Sequence, residues 1–83
     1  MIEILEQGPN TMTIGIGDKR IYFSHKTPIA FYAPGYYGLV VRENDWSTTT
    51  GKHLNAIDGG GKEAKANRLR SSSFESALAT AFK

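Results

Sequence analysis

Alternating hydrophobic and polar positions dominate the first half of the chain. In the run T-M-T-I-G-I, Met12, Ile14 and Ile16 fall on one face, and the residues between them fall on the other. This period of two is typical of a half-buried β-strand. Further β-rich runs separated by turn residues occupy positions 21–24, 27–32 and 39–43, and residues 2–5 are either a short first strand or a tethered start. The pattern predicts three to four antiparallel strands within about residues 2–43, arranged as a meander because consecutive strands follow one another directly.

The periodicity changes after Trp46. Leu54 and Ile57, together with Thr50 or His53, form an inward stripe at helical spacing, and Ser47 or Thr48 can cap a helix through its hydroxyl. We therefore predict a short helix over about 49–58. The three glycines at 59–61 end it and form a joint.

A second helix is predicted at the end of the chain, over about 73–82. Phe74, Leu78 and Phe82 recur every four residues, and Ser72 with Glu75 fits a capping box. Residues 62–70 are polar and are either a loop or a solvated helical turn. Together the elements predict one α+β domain over residues 1–83, in which the antiparallel meander carries one or two short helices on one face.

Composition narrows the function classes. The chain has 83 residues, no cysteine, 40% hydrophobic residues and a mean hydropathy of −0.35, which fits a globular domain without disulfides. Its net charge of +2 lies wholly in the second half, because residues 1–41 contain three basic and three acidic groups. No apolar run reaches the roughly 20 residues of a membrane span, and acids occupy the N-terminal positions where a signal peptide needs bases. We expect a cytoplasmic protein without membrane contact.

The densest cluster of ligand-binding groups lies at the start of the first predicted helix. Hydroxyls, a lysine and the N–H groups of a helix N-terminus can hold a phosphate or a nucleic-acid backbone, although the hydroxyls can equally serve as helix caps alone. Further cations follow and would attract phosphates if they share a face. The predicted nucleic-acid or anion-binding residues are Thr48, Thr49, Thr50, Lys52, His53, Lys62, Lys65, Arg68 and Arg70.

Aromatic residues provide a second candidate surface. Tyr36 and Tyr37 lie in a Pro-Gly loop, where they can form a protein interface or fold back over the core. Trp46 is expected to pack at the junction between the sheet and the first helix.

Known catalytic and metal-binding patterns are missing from the sequence. Trp46 and His53 occupy positions where a Walker A loop needs Gly and Ser or Thr, and the two histidines, His25 and His53, lack metal-ligand spacing. Ser24 or Ser47 with a histidine and Asp45 or Asp58 is a conceivable catalytic set, but no nucleophile elbow is present. We therefore expect no enzyme activity, no cofactor and no metal.

Two segments resemble a small domain of unknown function found in bacteriophage and plasmid proteins. They are I-Y-F-S-H-K-T-P-I-A-F-Y at 21–32 and W-S-T-T-T-G-K-H-L-N-A-I at 46–57, with T-P-x-A and S-x-T-T-x-K-H-x-N as the matching motifs. His25 departs from the aromatic residue usual after the serine. The resemblance implies a mobile-element origin and action in the host cytoplasm, and it brings no activity or catalytic residues.

The leading expectation is a non-enzymatic phage-type accessory protein that binds a macromolecule, with nucleic acid bound through residues 47–55 and the basic second half. The alternative is a protein that modulates or inhibits a host factor through the tyrosine loop or an exposed sheet edge. A small hydrolase or nuclease ranks third. Pairing with a second copy of the chain, to hide an uncovered sheet face, also remains open.

Overall fold

The computed structural model describes residues 2–35, 38–46 and 48–83. A five-stranded antiparallel sheet comes first in the chain and is followed by three short helices. The elements are β1 (Ile2–Gln7), β2 (Thr11–Ile16), β3 (Lys19–Ser24), β4 (Thr27–Ala33), β5 (Gly38–Val41), α1 (Thr48–Asp58), α2 (Lys62–Ala66) and α3 (Ser71–Ala81). The α+β class and the meander are confirmed, since the strands pair in chain order. The predicted count of three to four strands is wrong, because β1 is a full strand of six residues.

The turn between β3 and β4 places two residues other than glycine in a left-handed conformation. Ser24 pairs with Thr27, so only His25 and Lys26 form the turn, and both have positive φ angles of 50° and 69°. Positive φ at both central residues is the geometry of a type I′ hairpin turn, whose twist matches that of the flanking strands. This left-handed conformation costs roughly 1–2 kcal/mol per non-glycine residue.

The helix α3 packs against one face of the sheet. Cross-strand pairing places Ile4, Ile14, Ile21, Phe31 and Val40 in one row across all five strands. Phe31 and Val40 are buried beneath Phe74, Ala77 and Ala81 of α3. The Phe31 ring lies 5.6 Å from that of Phe74 and 5.8 Å from that of Phe82, within the range of favourable aromatic pairs. We call this the α3 face.

The helix α1 packs against the opposite face, which we call the α1 face. Leu54 is fully buried against Ala30 and Val41, and Ile29 completes this second cluster. The prediction that the helices share one face is therefore wrong. The sheet forms the middle of three layers, because the strands β4 and β5 are apolar on both sides and need a helix on each.

The helix boundaries also differ from those predicted. Residues 62–66 form the short helix α2. The helix α3 begins at Ser71, after an extended Arg70 that makes no side-chain cap, so Ser72 lies inside the first turn and the predicted capping box is wrong. The segment after α2 runs beside β5, where the Leu69 N–H donates to the Val41 carbonyl at 2.9 Å. This contact covers part of the β5 edge and leaves β1 as the open edge of the sheet.

Candidate functional site

A cleft of about 400 Å³ lies between the β3–β4 turn and the start of α1. It is lined by Ser24, His25, Thr27, Ile29, Trp46 and Thr50. The turn supplies one wall, and the first turn of α1 with the preceding Trp46 supplies the other. We call it the Trp46–His25 cleft. The sequence analysis singled out the start of α1 but not the β3–β4 turn, and only the packing of α1 on the sheet places the two together.

Trp46 is the largest group on this cleft, and 46% of its surface is exposed. Its inner side lies on Arg42, whose guanidinium carbon is 4.7 Å from the centre of the indole ring. The Trp46 N–H donates to the Asn44 side-chain oxygen at 3.0 Å. The prediction that Trp46 packs at the junction between the sheet and α1 therefore describes only one side of its ring. Much of the rest of the ring faces solvent.

Arg42 is itself buried and fixed by several neighbours. Its guanidinium lies 5.3 Å from the Phe74 ring, donates to the Ser71 hydroxyl at 2.5 Å and lies 4.0 Å from the Asp45 carboxylate. The Ser71 hydroxyl in turn donates to Asp45. Within the described part of the chain, the Arg42 Nε–H is buried without an acceptor. Arg42 therefore joins the Trp46 segment to the start of α3 and holds the indole in place.

The two histidines lie side by side, and His25 lines the cleft. Their ring centres are 5.9 Å apart, with the planes tilted by 38°. His53 Nδ1 is hydrogen-bonded to the Ser24 hydroxyl at 2.6 Å, and Ser24 is only 2% exposed. His25, by contrast, is exposed on the strained turn, beside the exposed Lys26. Backbone strain of this kind is concentrated at ligand-binding sites in proteins.

The N-terminal turn of α1 presents some of the predicted contact groups and hides one. Thr48 and Thr49 are exposed, and Lys52 lies one turn further along on the same helix face. Thr50 is only 4% exposed and lies on the packed side of α1, although it is among the residues that line the cleft. No acidic residue occupies the first turn of α1, so no carboxylate within that turn offsets the positive end of the helix dipole.

The predicted basic series divides into exposed and paired groups. Lys62 and Lys65 are exposed on α2, and Arg70 is exposed before α3. Arg68 instead binds the Asp58 carboxylate through two hydrogen bonds of 2.8 Å. Its guanidinium holds the pKa of Asp58 below the usual value, and the carboxylate raises the pKa of Arg68. The prediction that Arg68 contacts a ligand is therefore replaced, because its guanidinium is bound to Asp58 at the end of α1.

A wider groove of about 520 Å³ lies between α1 and the sheet, and His53 is among the residues that line it. Its polar lining includes Glu6, Thr13 and Tyr22, and its apolar lining includes Ile57. Since Glu6 is the charged residue in this lining, a polyanion would be repelled there rather than attracted. The smaller Trp46–His25 cleft is the better match to an anionic ligand.

The other sequence candidates are not assembled into a site. Ser24 does meet His53, but Asp45 is bound to Ser71 and Asp58 to Arg68. In residues 2–35, 38–46 and 48–83, no three side chains of metal-binding type come together. Tyr36, Tyr37 and Ser47 lie outside the described residues.

Sequence reasoning did not select His25, Lys26 or Trp46 as contact groups. A signal for the first two was present, since two polar residues between β-rich runs are the spacing of a tight hairpin. Nothing in the local sequence indicated that Arg42 would support Trp46.

A family model described as a family of unknown function, DUF8033, matches residues 4–76, so the chain belongs to that family. No curated protein and no solved structure matches the chain. None of the helices that the structure describes has the length and apolar character needed to cross a bilayer.

Proposed function

We propose that this protein binds single-stranded nucleic acid in the Trp46–His25 cleft, as a non-enzymatic accessory protein of phage type acting in the host cytoplasm. The observation that carries the proposal is the half-exposed indole of Trp46, held against the buried Arg42 beside the N-terminus of α1. A rigid aromatic surface next to a phosphate-binding helix end combines the two elements that single-strand binding proteins use.

Stacking supplies the base-binding part of the proposal. A base stacked on an aromatic side chain contributes about 1–3 kcal/mol to binding, with little dependence on base identity. Trp46 offers such a surface on one side of the cleft, and His25 offers a second ring on the other side. Because duplex DNA keeps its bases stacked on one another, this arrangement favours a single strand.

The positive groups around the cleft supply the phosphate-binding part. Lys26 and Lys52 are exposed on the two elements that form the walls of the cleft, the β3–β4 turn and α1, and the first turn of α1 contains no acidic residue. Lys62, Lys65 and Arg70 add exposed positive charge in the second half of the chain. Each phosphate neutralised by such a cation releases counterions, so we expect affinity to fall as salt increases.

The burial and the hydrogen bond of Ser24 support a binding role rather than catalysis. Its hydroxyl is almost completely buried and hydrogen-bonded to His53, so a substrate has little access to it. The pair links the end of β3 to α1, the two elements beside the cleft. In this proposal, the hydrogen bond between Ser24 and His53 contributes to function by positioning the elements around the cleft.

Fluorescence anisotropy with labelled single-stranded DNA and RNA tests the proposal. Trp46→Ala should weaken binding by about 10- to 100-fold, which corresponds to the loss of one stacked base. Lys52→Ala should weaken binding moderately and reduce the salt slope by about 0.7, the value for one phosphate contact on a single strand.

Tyr32→Ala is the matched control, since Tyr32 is an exposed aromatic on β4 that does not line the cleft. The affinity of the Tyr32→Ala variant for the labelled single strand should equal that of the wild type. Anisotropy that stays flat at low salt, or an equal loss in Trp46→Ala and Tyr32→Ala, would refute the proposal.

Modulation or inhibition of a host protein is the second candidate function, and the open β1 edge favours it. All six residues of β1 are exposed, including Leu5 beside its bulge. An extended segment of a partner can add to such an edge through main-chain hydrogen bonds. Affinity capture with and without nuclease distinguishes the two functions, because a host protein retained after nuclease treatment supports this candidate. Loss of capture in the Tyr36→Ala/Tyr37→Ala variant would place the contact at the loop instead.

A further inference from the structure

The row of apolar residues on the α3 face extends well beyond the helix that covers it. Phe31 and Val40 are buried under α3, Ile14 and Ile21 are half-buried, and Ile4 is 61% exposed. A neighbouring row ends in Ile2, which is 70% exposed and pairs with Ile16. The uncovered part spans β1, β2 and the adjoining side of β3, and we call it the open patch. Strand alternation assigns to it Ile2, Ile4, Ile14, Ile16 and Ile21, with Met12 and Phe23 at one end, where these two residues also line the groove beside α1.

Among the described residues of β1, β2 and β3, no charged side chain on the α3 face is without a contact. Strand alternation puts Glu3, Glu6 and Arg20 on the α1 face, opposite Gly15 and Thr13. Lys19 is the charged residue on the α3 face of β3, and its ammonium group donates to the Ala81 carbonyl at 2.6 Å beside the Phe82 ring. A surface that meets its own copy must avoid like charges, and the open patch satisfies this condition.

We propose that the open patch packs against the same patch of a second copy of this chain, related by a two-fold axis along the strand direction. The shape of the α3 face suits a second copy of the chain. The helix α3 stands above one half of the sheet as a layer about 10–12 Å thick, and two packed sheets lie about 10 Å apart. The partner sheet therefore fits beside α3 at the same height, and each α3 comes to lie along the partner's β1 edge.

Pairing through the β1 edge alone is less suitable. The strand β1 has a bulge between Ile4 and Glu6, and its two glutamates would approach those of the partner across an antiparallel edge. Bulges and edge charges are the usual means by which proteins prevent edge-to-edge association. Face-to-face packing keeps these glutamates on the outer surface.

The size of the open patch indicates a weak dimer. Three strands at a spacing of about 4.8 Å, each six residues long with a rise of about 3.4 Å, cover roughly 300 Å² in projection. A stable interface buries about 800 Å² of accessible surface on each partner, so this one lies at the lower end even after the contact with α3 is added. The dissociation constant is expected in the micromolar range or above. The Trp46–His25 cleft lies on the α1 face and stays open in this dimer, so the proposal is independent of nucleic-acid binding.

Sedimentation velocity of the full chain from about 5 µM to 1 mM tests this dimer. The weight-average mass should rise from that of one chain towards that of two. Ile4→Glu should hold the protein at one chain throughout, because burying an unpaired carboxylate weakens association by about 100-fold or more. Tyr32→Glu makes a comparable change on the α1 face and should dimerise like the wild type. Circular dichroism confirms folding, and Ile2→Glu replaces Ile4→Glu if the latter does not fold.

Chemical shifts followed on dilution locate the interface. Changes in Ile4, Ile14 and Ile21 support the proposal. A wild-type chain that remains monomeric at 1 mM overturns it. Equal dimerisation of Ile4→Glu and Tyr32→Glu, or shift changes confined to the β1 main chain or to α1, overturns it as well.

Discussion

The hydrogen-bonded pair of Asp58 and Arg68 holds the end of α1 to the segment that follows α2. The carboxylate accepts two hydrogen bonds from the guanidinium, each 2.8 Å long, and one from the Gly60 N–H at 2.9 Å. Arg68 also donates to the Asn55 side chain at 3.0 Å. Only 9% of the Asp58 side chain and 6% of the Arg68 side chain are exposed, so solvent weakens the pair little.

The substitution Asp58→Asn removes the charge without changing the shape. The amide oxygen can still accept from Gly60 and from one guanidinium N–H, but the amide nitrogen cannot accept the second bond from Arg68, and the guanidinium is left without its counterion. Hydrogen bonds to a charged group contribute about 1.5–3 kcal/mol, and we expect a loss of about 2 kcal/mol in the free energy of unfolding at pH 7. In a domain of this size that corresponds to a decrease of about 10 °C in Tm.

The same pair makes a prediction about pH, because Arg68 lowers the pKa of Asp58 in the folded state. The stabilisation is complete above about pH 5, begins to decrease near the unfolded pKa of about 3.9, and is lost once the pH falls below the folded pKa. The difference in stability between the wild type and Asp58→Asn should therefore shrink with acidification.

Urea unfolding at several pH values measures this difference directly. Glu75→Gln is the control, since Glu75 is an exposed acid and its loss should change stability by less than about 0.5 kcal/mol. The double variant Asp58→Asn/Arg68→Met should recover part of the loss by removing the unpaired cation. A stability at pH 7 equal to that of the wild type, or a difference that stays constant down to pH 2.5, would refute this reasoning.

Three further substitutions probe the packing around the cleft and the core. Phe74→Ala, at a fully buried position of α3, should cost about 3–5 kcal/mol and leave much of the protein unfolded in thermal melts. Gly60→Ala should lower the unfolding free energy by 1 kcal/mol or more in urea titrations, because φ is 68° and the new methyl group would lie 2.6 Å from Asn55. Ser24→Ala should cost about 1 kcal/mol and raise hydrogen exchange in α1, since His53 loses its buried partner; unchanged exchange would contradict the link between β3 and α1.

The sequence predicted the local elements better than their arrangement. The periodicity of Met12, Ile14 and Ile16 identified β2, and the spacing of Phe74, Leu78 and Phe82 identified α3, because both signals are contained in a few adjacent residues. The placement of α1 and α3 on opposite faces depends on both sides of β4 being apolar. A continuous run of apolar residues does not reveal which helix covers which side.

Only part of the candidate site was predicted from the sequence, because local patterns reveal single elements but not the contacts between them. The exposed hydroxyls of Thr48 and Thr49 follow from their place at a helix start, and the burial of Thr50 follows from the inward stripe with Leu54. The contact between Trp46 and Arg42, and that between Ser24 and His53, join residues from different elements. Such contacts depend on the packing of α1 and the β3–β4 turn, which no local motif encodes.

The most direct test of the nucleic-acid proposal uses the intrinsic fluorescence of Trp46, the single tryptophan of the chain. Titration with an unlabelled single-stranded oligonucleotide at low salt should quench this fluorescence, because a stacked base contacts the exposed part of the indole, and added salt should reverse the effect. Emission that remains unchanged while a labelled strand shows saturable binding would place the nucleic acid elsewhere on the protein and contradict the proposed cleft.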